Sequence, residues 1–222
     1  MSETTHIIEF ASAIVTTVIG CQTSGGLDKA TINKRIQILG MLGKEFGVPG
    51  LQERIPLLLN AANGEELSTS LFKLVNSIER ELVDIDSSGQ NIGSYFFVSA
   101  EIELESVWLD YQLNRTVKER EVLVDAPFAR RARYLSTQIG IEPPEVALCD
   151  LSDNELIFAK EMLRTWKNVL IAHAKAKDAL RSSSGVPGQS VSREGRAKLV
   201  IRGLIRGIPY VGDALDALFF GK

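Results

Sequence analysis

The strongest constraint on the fold is the spacing of apolar residues between positions 65 and 85. Every step in this stripe is three or four residues: Leu67, Leu71, Leu74, Ile78, Leu82 and Ile85. That spacing puts all six side chains on one face of an α-helix, and such a face normally packs against a core. The segment therefore predicts an amphipathic helix, and most of the remaining chain shares its period.

Four further helices follow from the same period and from turn residues: 4–20, 28–46, 54–63 and, after Asp125-Ala-Pro127, a helix that Gly140 ends. Residues 4–20 are apolar on nearly every side, which is typical of a helix at the centre of a core. The 28–46 helix is expected to bury one face: Ile32, Ile36, Leu39, Leu42 and Phe46. Pro56 suits the first turn of the 54–63 helix.

A long helix is predicted from Ser152 to about Arg181. The run Ser152-Asp-Asn-Glu155 matches the capping box that opens many helices. Its expected buried edge consists of Leu156, Leu163, Trp166, Leu170 and Leu180.

Residues 94–124 allow two interpretations. The run Ala100-Glu-Ile-Glu-Leu-Glu-Ser106 alternates acidic and apolar residues, as a half-buried strand does, and 118–124 could pair with it. Val98, Ile102, Leu109, Leu113 and Val117 also align along a helix. No turn residues separate the two candidate strands, which favours one long helix.

These patterns together predict an all-α protein. A bundle-like helical body occupies residues 1–181, a Ser/Gly-rich linker residues 182–194, and an amphipathic helical hairpin residues 195–222. The alternative is an α+β fold with a small antiparallel hairpin within 95–124.

The formal net charge of −3 is unevenly distributed. Residues 1–150 carry 21 acidic and 13 basic side chains, whereas residues 151–222 carry 7 acidic and 12 basic ones. A cationic C-terminal third suggests attraction either to the acidic body or to another anionic surface.

Two cysteines are too few for a disulfide scaffold, so the chain is expected to be cytoplasmic. Its amphipathic C-terminal hairpin adds a peripheral position at a membrane as the alternative location. Val18-Ile-Gly-Cys21 resembles a lipobox, but residues 1–9 lack the positive charge of a signal peptide. The apolar run from Ile7 to Cys21 is shorter than the ~20 residues that a membrane span needs.

Motifs for catalysis or metal binding are not found. His6 and His173 are the only histidines, and neither belongs to a zinc motif or a complete di-iron motif. No phosphate loop and no nucleophile elbow is present. The sequence therefore predicts no cofactor, no metal and no catalytic residue. A helical enzyme with a carboxylate or histidine site remains an alternative.

A cluster of three arginines is a candidate contact for anions. Arg130, Arg131 and Arg133 lie close to Phe128 and Tyr134. Basic residues beside aromatic ones can bind nucleic-acid backbones. Because the surrounding sequence is acidic, nucleic acid ranks below a protein or membrane partner.

The C-terminal segment carries the clearest functional pattern. At 100° per residue, one face of 194–208 is apolar: Ala197, Val200, Ile201, Leu204, Ile205 and Ile208. Lys198, Arg202 and Arg206 form a basic stripe beside that face. A cationic amphipathic helix of this kind binds membrane interfaces or grooves on partner proteins.

A second short helix is predicted from about Val211. Pro209 ends the first helix, and the second carries Leu215, Leu218 and Phe219 opposite its two aspartates. The turn from Ile208 to Asp216 resembles a hairpin turn in some bacterial membrane-associated proteins and in regions before polymorphic-toxin domains. The resemblance covers nine residues, and no family assignment follows from it.

The sequence thus predicts a non-catalytic interaction or adaptor protein. Its contact residues are expected in the hairpin: Lys198, Arg202, Leu204, Ile205, Arg206, Ile208, Leu215, Leu218 and Phe219. The expected partner is another protein, a second copy of the chain, or an anionic membrane surface.

Overall fold

A computed structural model of the 222-residue chain is all-helical in the part that it describes. The described residues are 3–23, 29–61, 64–86, 89–120, 127–146 and 148–183. They contain seven α-helices, one 3-10 turn and no strand, which confirms the predicted all-α class and a helical bundle. The antiparallel hairpin considered within 95–124 is wrong, because a helix occupies Ile92–Leu113.

Each of the seven helices overlaps a predicted segment, although several helix ends differ. In chain order they are α1 Glu3–Thr23, α2 Lys29–Glu45, α3 Leu51–Leu58, α4 Gly64–Ile85, α5 Ile92–Leu113, α6 Pro127–Gln138 and α7 Asp153–Ser183. The chain divides into two compact units. One unit comprises Ile7–Leu104, and the other comprises Met1–His6 together with Glu105–Lys222. The predicted boundaries at 181 and 195 stay predictions.

Helix α1 supplies the central side chains of the Ile7–Leu104 unit. Ile7, Ile14, Val15 and Val18 are all fully buried, as expected for a helix that is apolar on nearly every side. Within the described residues, one stretch, Thr4–Gln22, is long and apolar enough to cross a membrane. The prediction that the apolar run in α1 is too short for a membrane span is therefore wrong as far as length and composition are concerned. Half of the stretch is buried inside the protein, as in a core helix.

Side chains of α4 and of the first half of α5 also belong to this core. The predicted stripe of α4 is buried at Leu71, Leu74, Ile78 and Leu82, whereas Ile85 at its end is half exposed. Gly93 permits close packing, because a Cβ atom there would lie 2.7 Å from Val83 Cγ2 and 2.8 Å from the Glu79 carbonyl oxygen.

The α4–α5 connection is fixed by Asp86. Its carboxylate accepts hydrogen bonds from the backbone N–H groups of Gln90 (3.1 Å) and Ile92 (3.2 Å). Carboxylates at a helix N-terminus satisfy N–H groups that have no partner within the helix. Asp86 therefore sets the start of α5, two residues before the predicted position.

Helix α2 is less buried than its pattern predicts. Leu39 is buried, but the other four predicted core residues are only partly buried, and Ile38 and Met41 are exposed. The helix ends at a turn in which Gly47 and Gly50 both have positive φ, a conformation that glycine adopts without steric cost.

Pro56 lies further inside its helix than the sequence predicts. Helix α3 begins at Leu51, three residues before the predicted start, so Pro56 lies beyond its first turn. A helical proline lacks the N–H donor and its ring crowds the carbonyl group four residues earlier, and α3 extends just two residues further to Leu58.

Helix α5 ends at Leu113, before the predicted end. Val117, assigned to the helical stripe, instead lies in the 3-10 turn Val117–Glu119 and is 60% exposed. The Glu119 carboxylate accepts hydrogen bonds from the Thr116 hydroxyl (2.7 Å) and the Thr116 N–H (3.3 Å). This local capping box competes with continuation of the helix.

In the other unit, α6 packs on α7. The indole N–H of Trp166 donates to the Ser136 hydroxyl at 3.0 Å within a buried environment. Gly140, with φ of 84°, ends α6 as predicted. Near the other end of α7, the buried Asp178 carboxylate accepts a hydrogen bond from the Thr4 hydroxyl at 2.8 Å.

Candidate interaction surface

The nine predicted hairpin contacts lie outside the described residues, which end at Ser183. Those contacts therefore stay predictions. The helix that leads into this segment is α7, and its two halves differ in charge. From Arg164 to Ser183 the helix carries five basic residues and one acidic residue, Asp178. The cationic character of the C-terminal third thus begins within a described helix.

The N-terminal half of α7 has the opposite character. Residues 153–163 contain three carboxylates and one lysine, Lys160, which pairs with Asp110 on α5. Two large apolar side chains are exposed among them, Ile157 at 52% and Phe158 at 57%. Asp153 and Glu161 lie one turn before and one turn after Ile157. We call Asp153, Ile157, Phe158 and Glu161 the acidic-apolar surface.

Hydrogen bonds to Glu155 fix the first turn of α7. One oxygen of its carboxylate accepts three backbone N–H groups, from Cys149 (3.0 Å), Asp150 (3.0 Å) and Leu151 (3.1 Å). The Ser152 hydroxyl accepts the Glu155 N–H at 3.3 Å, which is one half of the predicted capping box.

The other half of the capping box differs from the prediction. Asp150, rather than Glu155, accepts the Ser152 N–H at 2.7 Å. This backbone hydrogen bond lowers the pKa of the Asp150 carboxyl. The Glu155 carboxylate therefore binds the backbone N–H groups of the three residues before Ser152 instead. One of them, Leu151, has a backbone φ of 52°, in the left-handed region.

Arg120 holds this turn against the end of α5. Its side chain is only 4% exposed and pairs with Asp153. It also donates to the Gln112 carbonyl (3.1 Å) and the Leu151 carbonyl (2.6 Å). One guanidinium thus satisfies three acceptors from two segments, which keeps the acidic-apolar surface on a rigid base.

The predicted arginine cluster is not wholly available for an anion. Arg133 donates to the Pro144 carbonyl at 2.7 Å, and both Arg131 and Arg133 are half-buried. Arg130 is exposed, and both it and Arg131 have interaction partners within the chain. Arg133 therefore has a structural role, which leaves less of the cluster for nucleic acid.

Several acidic residues of the Ile7–Leu104 unit are buried or have partners within it. Glu79 and Glu101 are buried, and Glu103 accepts the Ser12 hydroxyl at 2.9 Å. Glu81 pairs with Arg54 at 2.9 Å. Within the described residues, no group of three or more His, Cys, Asp and Glu side chains could hold a metal ion.

The cysteines differ in their surroundings. Cys149 is exposed in the turn before α7, whereas Cys21 is partly buried. Burial raises the pKa of the Cys21 thiol, and the nearby Arg35 only partly opposes that effect. Cys21 is therefore a poor nucleophile.

His173 lies in α7 and is partly buried. Burial, together with the positive charge of Lys177, lowers its pKa to about 4. The imidazole is therefore neutral near pH 7.

This shift predicts a pH dependence of stability. In the unfolded chain His173 binds a proton below pH ~6.5, whereas in the folded chain it does so only near pH 4. The free energy of unfolding therefore has its full His173 contribution above pH ~6.5 and falls by roughly 3 kcal/mol as pH decreases to 4. His173→Gln is expected to abolish this component. Urea denaturation of both proteins at pH 7 and pH 4 measures it, since other titrations cancel in the difference. An unchanged difference at the two pH values would contradict the assignment.

Sequence reasoning missed the acidic-apolar surface, although a signal for it was present. Ile157 and Phe158 follow Leu156 directly, and successive residues on a helix point about 100° apart. With Leu156 fully buried, its two apolar successors must turn away from the core.

No family model, no curated protein and no solved structure matches this chain significantly. A functional assignment therefore rests on the chain's own residues.

Proposed function

We propose that this chain is a non-catalytic interaction protein whose C-terminal hairpin, residues 195–222, contacts an anionic membrane surface. The observation that carries the proposal is the basic stripe of Lys198, Arg202 and Arg206 beside a continuous apolar face. Such a helix lies in the interface with its apolar side among the lipid chains and its cations near the headgroups. A groove on a partner protein would fit the same face.

The charge distribution supports this proposal. The cationic half of α7 precedes the linker that leads to the hairpin, so basic residues recur from Arg164 towards the C-terminus. Each Lys or Arg close to an anionic membrane contributes about 1 kcal/mol of attraction. Two helices of roughly 14 and 10 residues are each too short to span a bilayer, so contact would be at the surface.

Co-sedimentation with vesicles tests the proposal. Full-length protein is expected to bind phosphatidylcholine vesicles that contain phosphatidylglycerol, and to bind pure phosphatidylcholine vesicles weakly. The triple variant Lys198→Gln, Arg202→Gln, Arg206→Gln should bind the anionic vesicles at least tenfold less, since it loses about 3 kcal/mol of attraction. A 1–190 truncation, which retains α1–α7, should also lose binding.

A matched control separates a local contact from net charge. Lys29→Gln, Lys34→Gln, Lys44→Gln changes the charge equally at three exposed positions of α2. This control should bind like the unmodified protein. Equal binding by full-length protein and the 1–190 truncation would exclude the membrane proposal and leave a protein partner for the hairpin.

A further inference from the structure

The acidic-apolar surface on α7 is complementary to the predicted C-terminal helix. Asp153 and Glu161 are eight residues apart on one stripe of α7, which corresponds to about 12 Å. Their side chains are 68% and 60% exposed, and Ile157 lies between them. Lys198 and Arg206 have the same spacing, with Ile201 and Ile205 adjacent.

We infer that residues 195–208 of this chain dock antiparallel on the acidic-apolar surface, with Lys198 opposite Glu161 and Arg206 opposite Asp153. Ile157 and Phe158 then cover part of the apolar face that the vesicle would otherwise contact. This docking deepens the proposed function and rests on it: the hairpin is held on its own body until an anionic surface competes for it.

The chain between the two segments is long enough for this docking. Residue 164, which would face residue 195, lies 19 positions before Ser183, or about 29 Å along α7. The 11 residues 184–194 can span up to about 36 Å. A chain that leaves the C-terminal end of α7 and returns along it is necessarily antiparallel to it.

The side chains of Asp153 and Glu161 remain largely exposed to solvent in addition to making their present contacts. Asp153 pairs with the buried Arg120, and Glu161 contacts Arg164 on its own helix at 3.7 Å. An ion pair between exposed residues contributes little by itself. The docking therefore depends on the burial of Ile157 and Phe158 together with the charge match, and it is weak enough to be displaced.

Cross-linking to the native Cys149 tests the arrangement. The docked segment would end beside the first turn of α7, just before which Cys149 lies, so Tyr210→Cys, two residues after that segment, in a Cys21→Ser background should be linked to Cys149 by a short bismaleimide. Peptide mass spectrometry identifies the linked pair, and a denaturing gel shows whether the link lies within one chain. An absent link overturns the docking. A link found only in dimers also overturns it, in favour of a second copy as the occupant.

Charge exchange supplies the matched control in the full chain. Glu161→Lys should reduce the link two- to fivefold, as expected for one exposed ion pair. Lys198→Glu should do the same, and the double exchange should restore the link. Single variants that keep the full link, or a double exchange that does not restore it, would overturn the register. Ile157→Ser should also weaken the link, because it removes apolar contact without altering charge.

Vesicle binding distinguishes failure of this inference from failure of the proposed function. Glu161→Lys should increase sedimentation with anionic vesicles two- to fivefold, because the competing docked state is weakened. A cross-link without vesicle binding would leave the docking in place and remove the membrane function. Vesicle binding that is unaffected by Glu161→Lys, without a cross-link, would leave the membrane function and remove the docking.

Discussion

Replacement of Phe10 by alanine is expected to lower the free energy of unfolding by about 4 kcal/mol. Phe10 is 1% exposed, and its ring centroid lies 5.4 Å from that of Phe46 and 5.8 Å from that of Phe96. The substitution removes transfer free energy and leaves a cavity between α1, α5 and the end of α2. Helices constrained on several sides close such a cavity only in part.

The measurement is urea denaturation followed by circular dichroism. Both tryptophans, Trp108 and Trp166, belong to the unit that contains Glu105–Lys222, so their fluorescence does not report directly on Phe10. Leu57→Ala serves as the control in the same unit, because that side chain is 73% exposed and its loss should change stability by less than about 0.5 kcal/mol. A Phe10→Ala effect as small as that of the control would refute this description of the core.

The second large effect is expected for Arg120→Ala, at about 3 kcal/mol. The substitution leaves the Gln112 and Leu151 carbonyl groups without their donor, and each buried acceptor that loses its partner costs about 1–3 kcal/mol. Asp153 contributes little to the loss, because its side chain is 68% exposed and water replaces the arginine.

Tryptophan fluorescence follows this unfolding, since both tryptophans lie in the same unit as Arg120. Arg120→Lys should be intermediate, because an ammonium group keeps the charge but cannot copy the planar guanidinium. Arg164→Ala is the control, with a side chain that is 73% exposed. Arg120→Lys matching the unmodified protein would show that charge alone, without the guanidinium geometry, holds this turn.

The existence of the helices could be predicted because burial of one face imposes a period on the sequence. The stripe of α4 illustrates this, since four of its six residues are buried where the spacing puts them. Helix ends were less predictable, because they depend on side chains that compete locally for backbone groups. Thr116 and Glu119 stop α5 before Val117, and no apolar period records that competition.

The interaction surface was harder to predict than the fold. The contacts of Arg120 join positions 112, 151 and 153, and a pattern within one helix does not encode such distances along the chain. Glu155 was assigned to a capping box but binds three N–H groups upstream of it, because Asp150 takes the position expected for Glu155. Such arrangements depend on the loop geometry, including the positive φ of Leu151.

The central place of α1 has a consequence for synthesis on the ribosome. The apolar residues of α1 are synthesised long before α5, which packs against them. Ile8 and Ser99, its hydrogen-bonded partner on α5, are 91 positions apart. At about 5–20 residues per second, α1 waits roughly 5–20 s for that partner to be translated. During this interval its apolar surface is accessible to chaperones and to the machinery that recognises nascent membrane segments. The helix at the centre of the finished Ile7–Leu104 core is thus unprotected while that core is still being synthesised.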